Sequence, residues 1–358
     1  MSWKNGQNDG LRWPERNRSD FDALGLVASR RYRRRNPNEG LTVRTLLEEF
    51  QAIFERRFLI VTWGTYYDSI LDHDVRRDLK ELNDTDAFAA YRSRENGWEP
   101  RYRSLHGYAL RPGKRGGILE MAEHLEESAS TDRVQTLILL ADPDDLEESY
   151  PEDRALVRSA LRNDVLYLPT LTTTLHWLAF EANESQDSGQ QLVHRTIPEN
   201  ESLALIAHDG KKLDLCRWVV QHQQYIRRFD RFITTGTTGT KIGDFLKALG
   251  IPDRKIHRID RRESGPKGGD VEIGGEILRG NCHHVVFFVD PMTLHPHEAD
   301  IQALLRTCAM PDVKVNLRLT ETSATSWIKT VAEPASAIES VIWNTRREEQ
   351  TPKAVPLE

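Results

Sequence analysis

At 358 residues the chain exceeds the ~100–200 of a single domain, and with 38% apolar residues it can bury packed cores, so two globular domains are expected. A formal net charge of −6, with 29% charged residues, carries no global signature of a nucleic-acid or membrane-surface binder. The three cysteines (Cys216, Cys282, Cys308) lack CxxC spacing, which argues against a disulfide framework or a zinc cluster. No apolar run approaches the ~18–20 residues of a membrane span, and the opening MSWKNGQNDGLRWPERNRSD has no apolar core of a secretion signal, so a soluble, cytoplasmic protein is expected.

In chain order, residues 1–20 form a polar end. A first domain over 21–182 begins with the apolar strand LGLVASR at 24–30, followed by an arginine run, Arg30, Arg31, Arg33, Arg34 and Arg35. Such a run is either a solvated face or a surface for an anion or a partner chain. TWGTYYDSI lies at 62–70. The segment 72–115, rich in arginine and aromatic residues, is expected to be a long surface excursion rather than core. Gly116-Gly117, ADPDDLEESYPEDRALVR at 141–158 and LHW at 175–177 complete this half. A polar linker over 183–200 leads to a second domain over 201–346, and 347–358 is a tail.

The second domain opens with LALIAHD at 203–209, an apolar run suited to a strand buried on both faces. Leu215, Trp218, Val219, Tyr225, Ile226 and Phe229 then recur at the spacing of one buried helical face. FITTG, a helix from Lys241 to Leu249, a glycine-rich turn, a helix through Ile277, HVVFFVD, a helix from Asp300 to Met310, VKVNLR and a stretch around Trp327 follow. Strands separated by helices predict an α/β fold, a mostly parallel sheet with helices on both faces, whose ligands bind beyond the carboxyl ends of the strands.

The halves look like copies of each other. LGLVASR matches LALIAHD, TWGTYYDSI lies on TTGTTGTKI at 234–242, and Gly116-Gly117 corresponds to Gly268-Gly269. ADPDDLEESYPEDRALVR aligns with VDPMTLHPHEADIQALLR at 289–306; in both, the Asp-Pro aspartate stands sixteen residues before an arginine.

TTGTTG directly after a buried strand fits a phosphate cradle: glycines let the backbone approach an anion, and hydroxyls and helix N-terminal amides donate to it. The same letters also make ordinary strand-to-helix turns. SGPKGGD at 264–270 is a second such loop, and Lys212 supplies a point charge nearby. Asp270 is either an N-cap or a base. His208, Asp209, Asp290, His297 and Asp300 are placed to converge on the same edge, although each alone is as compatible with a structural role. His283, His284, His295 and His297 complete no recognised ligand spacing, so no metal is expected.

Together, LALIAHDGKK, TTGTTG, SGPKGGD and VDPMTLHPHEADIQALLR resemble the methylglyoxal synthase family. The resemblance implies tandem methylglyoxal-synthase-like domains, a homo-oligomer, no cofactor, and elimination of phosphate from dihydroxyacetone phosphate. It assigns Lys212, Thr235, Gly236, Thr237, Thr238, Ser264 and Gly265 to the substrate phosphate. Asp270 would be the base, with His208, Asp209, Asp290, His297 and Asp300 around the substrate oxygens. Lys267 replaces an apolar residue usual in the family loop, Arg318 stands where an asparagine is expected, and the family's C-terminal arginine matches only Arg346 or Arg347 loosely. In the first copy Ser29-Arg30 replaces His208-Asp209, Tyr66-Tyr67 replaces Thr238-Gly239, Ile118 falls near Asp270, and Ser149 replaces His297, so that copy is expected to be non-catalytic. Two other readings stand beside the lyase. One is a non-catalytic module binding a phosphorylated ligand for regulation, as related domains do in carbamoyl-phosphate synthetase. The other is an interaction protein using the arginine-rich half.

Overall fold

A computed structural model describes residues 22–34, 41–94, 99–126, 133–144, 151–184, 201–226, 228–250, 259–293 and 297–330. The strands are β1 (Asp22–Ala28), β2 (Arg57–Thr62), β3 (His106–Leu110), β4 (Val134–Leu140), β5 (Leu166–Leu168), β6 (Ser202–Ala207), β7 (Arg231–Thr235), β8 (Ile259–Arg262), β9 (His284–Phe288) and β10 (Asn316–Arg318). They form two five-stranded parallel sheets, ordered β3-β2-β1-β4-β5 and β10-β9-β6-β7-β8. Matching β1 with β6 and continuing in step, the second order is the first read backwards, so both halves have one topology. Tandem α/β domains of one fold are therefore present.

The described helices of seven or more residues are α1 (Val43–Glu49), α2 (His73–Leu79), α3 (Asp84–Arg92), α4 (Gly117–Glu126), α5 (Pro151–Arg162) and α6 (Leu171–Glu184) in the first half. In the second they are α7 (Lys212–Gln221), α8 (Gly236–Ala248), α9 (Gly269–Leu278), α10 (Glu298–Ala309) and α11 (Glu321–Thr330). Helix α6 continues to Glu184, two residues into the segment expected as linker. Helix α8 starts at Gly236, five residues before the expected Lys241, with Thr235 at its N-cap. The threonines thus sit on the first helical turn, where they meet the free amides. No described helix is long and apolar enough to cross a membrane.

The segment 72–115 departs from expectation. Its α2 and α3 contribute Leu79, Ala87, Phe88 and Tyr91 to the core, and β3 is an edge strand of the first sheet. Trp63 lies 5.4 Å from the Phe88 ring and 5.0 Å from that of Tyr91, so the aromatic residues that suggested an excursion pack an added core layer. The arginines lie around it, as in Arg94 with Glu99 at 3.3 Å.

Each sheet is covered on both faces. On β1, Leu24, Leu26 and Ala28 face a core belonging to the first half, while on β6 Leu203, Leu205 and Ala207 face one belonging to the second. Ala23 and Val27 of β1 and Ala204 and Ile206 of β6 belong to a single apolar cluster shared by both halves. Edge strands β5 and β10 meet there, joined by threonines rather than a ladder. The Thr173 hydroxyl accepts from Leu317 N at 2.9 Å and donates to Leu317 O at 3.1 Å, and the Thr320 hydroxyl donates to Val165 O at 2.8 Å. Arg318 is buried at this junction, donating to Asn316 Oδ1 at 2.9 Å, and burial lowers its pKa to about 9. The three cysteines are buried and unpaired, with thiol pKa values raised by desolvation, that of Cys282 to about 12, which makes them packing residues.

The junction makes a stability prediction. Thr173→Val removes the partner of two buried backbone groups and is expected to cost about 1–3 kcal/mol. Thr322→Val, whose bonds go to the exposed Asp164, is expected to cost less than about 1 kcal/mol. Urea unfolding midpoints of the two variants check the ranking.

Candidate active site

Four strands deliver their carboxyl ends to one edge of the second sheet. His208 follows β6, β7 ends at Thr235, the loop after β8 carries Ser264 and Gly265, and Asp290 follows β9. The loop 264–269 is set by two glycines. Gly268 has φ +92°, and a Cβ on Gly269 would fall on the Glu263 carbonyl. With no other residue able to pass here, helix α9 starts where Asp270 enters its first turn.

Asp270 is 2% exposed, with Oδ2 3.4 Å from His297 Nε2. Burial raises its pKa above the ordinary carboxylate range, opposed by His297 and reinforced by Asp300. A Cβ on Gly265 would lie 2.8 Å from His297 Nε2 and 3.0 Å from Asp270 Oδ2, so the bare glycine leaves the face of this pair open. Behind it, His208 Nδ1 accepts from Asp290 N at 2.9 Å, and the His208 and His297 rings stand 6.4 Å apart, nearly perpendicular. In a neutral His208 this bond leaves the proton on Nε2, making that atom a donor. Asp290 is itself fixed, accepting from Met292 N at 3.0 Å and from the Thr293 hydroxyl at 2.7 Å.

The cradle residues lie alongside. Buried Lys212 donates to Asp209 and, at 2.6 Å, to the Thr237 hydroxyl. Thr235 donates to Thr238 at 2.9 Å, both buried, and a Cβ on Gly236 would lie 3.0 Å from Arg262 O. Asp209 is 93% exposed, and its pKa is lowered chiefly by the hydrogen bond from Lys212. Ser264 and Thr237 border a neighbouring cavity of about 490 Å³ that also takes in Arg261, Arg262 and Lys267. The structure thus groups Asp270, His297, Asp300 and Gly265 on one side, His208 with Asp290 behind them, and Lys212, Asp209 and the threonines on the other. The sequence reading missed Lys241, whose charge also lowers Asp209; its position four residues after Thr237, one helical turn on, was the available signal. His295, Ser149, Arg346 and Arg347 lie outside the described residues.

The corresponding edge of the first half keeps the glycine turn but departs elsewhere: after β2 a short helix, Trp63–Thr65, runs into a π-helical turn, Tyr66–Ile70, where the second half has α8. Gly116 has φ +98°, and a Cβ on Gly117 would fall on the Arg111 carbonyl, so the two-glycine turn is repeated. The residue after it is Ile118, in the place of Asp270. Of the arginine run, Arg31 and Arg33 fold inward, and Arg35 lies outside the described residues. Arg33 packs on Gly64 and lies 3.3 Å from Asp68, which Arg34 approaches at 3.4 Å and Arg76 at 3.1 Å; Arg31 lies 3.5 Å from Asp142. Asp68 is 3% exposed. A buried carboxylate of the chain itself therefore holds Arg33 and Arg34 of the run, although one charge does not balance the three arginines around it and the Arg34 side chain stays 63% exposed.

Two parallel α/β sheets, with a buried carboxylate–histidine pair beside a lysine- and threonine-lined edge at the strand ends of one, define the fold class and its candidate site. No protein-family model matches the chain. A methylglyoxal synthase from Clostridium beijerinckii is 42% identical over 113 residues, 32% of this chain and 87% of that protein. One from Thermus thermophilus is 38% identical over 129 residues, 36% of this chain and 94% of that protein. A solved methylglyoxal synthase from Elizabethkingia anophelis is 35% identical, covers 38% of this chain and 82% of its own, and has a TM-score of 0.31. The chain belongs to the methylglyoxal synthase family, whose likeness extends over about a third of its length.

Burial of Asp270 makes a pH prediction. Because its folded pKa is raised, the stability it contributes is complete below the unfolded pKa and is lost as pH rises through the folded value. Asp270→Asn is therefore expected to raise the thermal midpoint at neutral pH, with the gain shrinking towards zero in acid. Melting curves across pH 3.5–8 test it; an equal shift at every pH would contradict the assignment.

Proposed function

We propose that the second half is a methylglyoxal synthase, a carbon–oxygen lyase that converts dihydroxyacetone phosphate to methylglyoxal and inorganic phosphate. The observation that carries the reading is the buried Asp270 within 3.4 Å of His297, across from a bare Gly265, in a chain that is 42% identical over 113 residues to a named synthase.

On this reading the substrate phosphate lies among Lys212, Thr235, Gly236, Thr237, Thr238, Ser264 and Gly265. Lys212 exchanges its exposed partner Asp209 for phosphate, and the α8 amides donate to it. Asp270 takes a proton from the hydroxymethyl carbon beside the carbonyl. The electron pair of that C–H bond becomes a C=C bond, and charge moves to the carbonyl oxygen, where His208 Nε2 and His297 donate. The hydroxyl on the deprotonated carbon then gives up its proton to the departing phosphate and its lone pair forms the aldehyde C=O; the C=C pair shifts to the carbon bearing phosphate, the C–O bond there breaks, and the enolate left behind takes a proton on its CH2 carbon to become methylglyoxal. A cradle holding that C–O bond perpendicular to the enediolate plane favours elimination over return of the proton. Asp290 orients His208, and Asp300 raises the basicity of Asp270.

The first half, with Ile118 in the place of the base, is non-catalytic on this reading and serves as a structural partner. Assembly of several chains and a cytoplasmic setting belong to the same proposal.

Purified protein with dihydroxyacetone phosphate is expected to release methylglyoxal and phosphate in equal amounts. Asp270→Asn should lower kcat by about 10²–10⁴, and Gly265→Ala should abolish turnover while the fold persists. If folded parent protein yields neither product over a range of phosphate concentrations, the non-catalytic binding module becomes the better reading.

A further inference from the structure

A cavity of about 860 Å³ runs between the two halves, a volume in the range of small-molecule sites. It is built twice over. Helix α5 and helix α10 are repeat equivalents, and they form its opposite walls with residues that correspond pairwise: Val157 with Leu305, Leu161 with Ala309, and Arg158 with Arg306. Tyr167 and Leu317, equivalent residues of the meeting edge strands β5 and β10, also line it. The lining is apolar in its depth, where Tyr167 and Leu317 are buried, and cationic at its exposed rim, where Arg154, Arg158 and Arg306 stand. Of these, Arg158 reaches across to the other half, donating to Pro291 O at 3.3 Å. Of the six acidic residues of the lining, Asp68 is held by three arginines, Asp142 by Arg31, Asp290 by Thr293 and Met292 N, and Glu298 by Gln302, while Asp84 and Asp153 complete the six against seven basic residues.

We propose that this cleft binds an amphipathic anion, a medium-length apolar chain or ring bearing one carboxylate or phosphate. The apolar body fills the depth between α5 and α10, and the head meets the guanidinium groups at the rim, where a planar fork of donors suits either oxyanion. Neither half contains the site alone, so it arises from fusing the two. Its lining also includes His208 and Asp290, so an occupant lies against two groups that border the reaction site without using the cradle.

Isothermal titration of the full chain with decanoate, decyl phosphate and decan-1-ol, each below its aggregation concentration, tests this. The expected result is saturable binding of one anion per chain, at least tenfold tighter than decan-1-ol; the tighter of the two anions identifies the head group. Arg154→Glu/Arg306→Glu, changing exposed side chains, should weaken it at least tenfold with the near-ultraviolet circular dichroism unchanged. Ala309→Phe, which fills the depth, should weaken the anions and the alcohol alike. Asp270→Asn should bind as the parent does, which separates this site and its fate from that of the lyase. Absence of saturable binding, or equal affinity in the charge-reversed variant, would overturn the proposal.

Discussion

A parallel sheet is stable only with both faces covered, and in this chain one face of each sheet is covered in common with the other half. Ala23 and Val27 on β1 and Ala204 and Ile206 on β6 share one apolar cluster, filled by helices of both halves. Separating the halves would return that cluster to water at roughly 25 cal/mol per Å² of apolar surface. It would also bare the short edges of β5 and β10, which are satisfied side chain to backbone through Thr173 and Thr320. The first half therefore contributes to the second whatever chemistry it performs, and a carboxylate lost at Ile118 removes nothing from that contribution.

The same packing sets the environment of Asp270. The side chain that serves best as a base in the proposed reaction is one the fold would be more stable without, because its charge is buried two per cent exposed, and the nearby histidine offsets this only in part. Raised basicity and lowered stability are one physical fact, desolvation, seen from two sides. Rigid backbone on each side makes this tolerable. The Gly268–Gly269 turn and the fixed Asp290 loop hold the groups around the carboxylate in place without asking the carboxylate for a bond.

The alternation of strands and helices, the duplication and the strand-end edge were all readable in the sequence, because apolar runs such as LALIA and HVVFF mark strands buried on both faces and paired glycines mark the turn. The grouping of Asp270 with His297, 27 positions apart in sequence, was reached through motif resemblance rather than periodicity. What the sequence hid depends on long-range pairing. The segment 72–115 reads as polar because its arginines outnumber its aromatic residues, yet Phe88 and Tyr91 find Trp63 and draw the segment onto the core. The arginine run after β1 reads as a free basic surface because Asp68, 35 residues beyond Arg33, gives no sign in the sequence that it folds back beneath it.

That last pairing explains how one fold came to hold two different edges. In the second half the cation is Lys212, and its carboxylate partner Asp209 is almost fully exposed, so on the proposed reading water solvates Asp209 when a phosphate takes its place. In the first half the partner is Asp68, buried and shared by Arg33, Arg34 and Arg76; releasing it would strand a charge in the interior, at a cost of several kcal/mol. On the proposed reading an anion at Lys212 displaces an exposed carboxylate, whereas one at Arg33 would displace a buried one, so the exposure of the chain's own carboxylate separates the two edges.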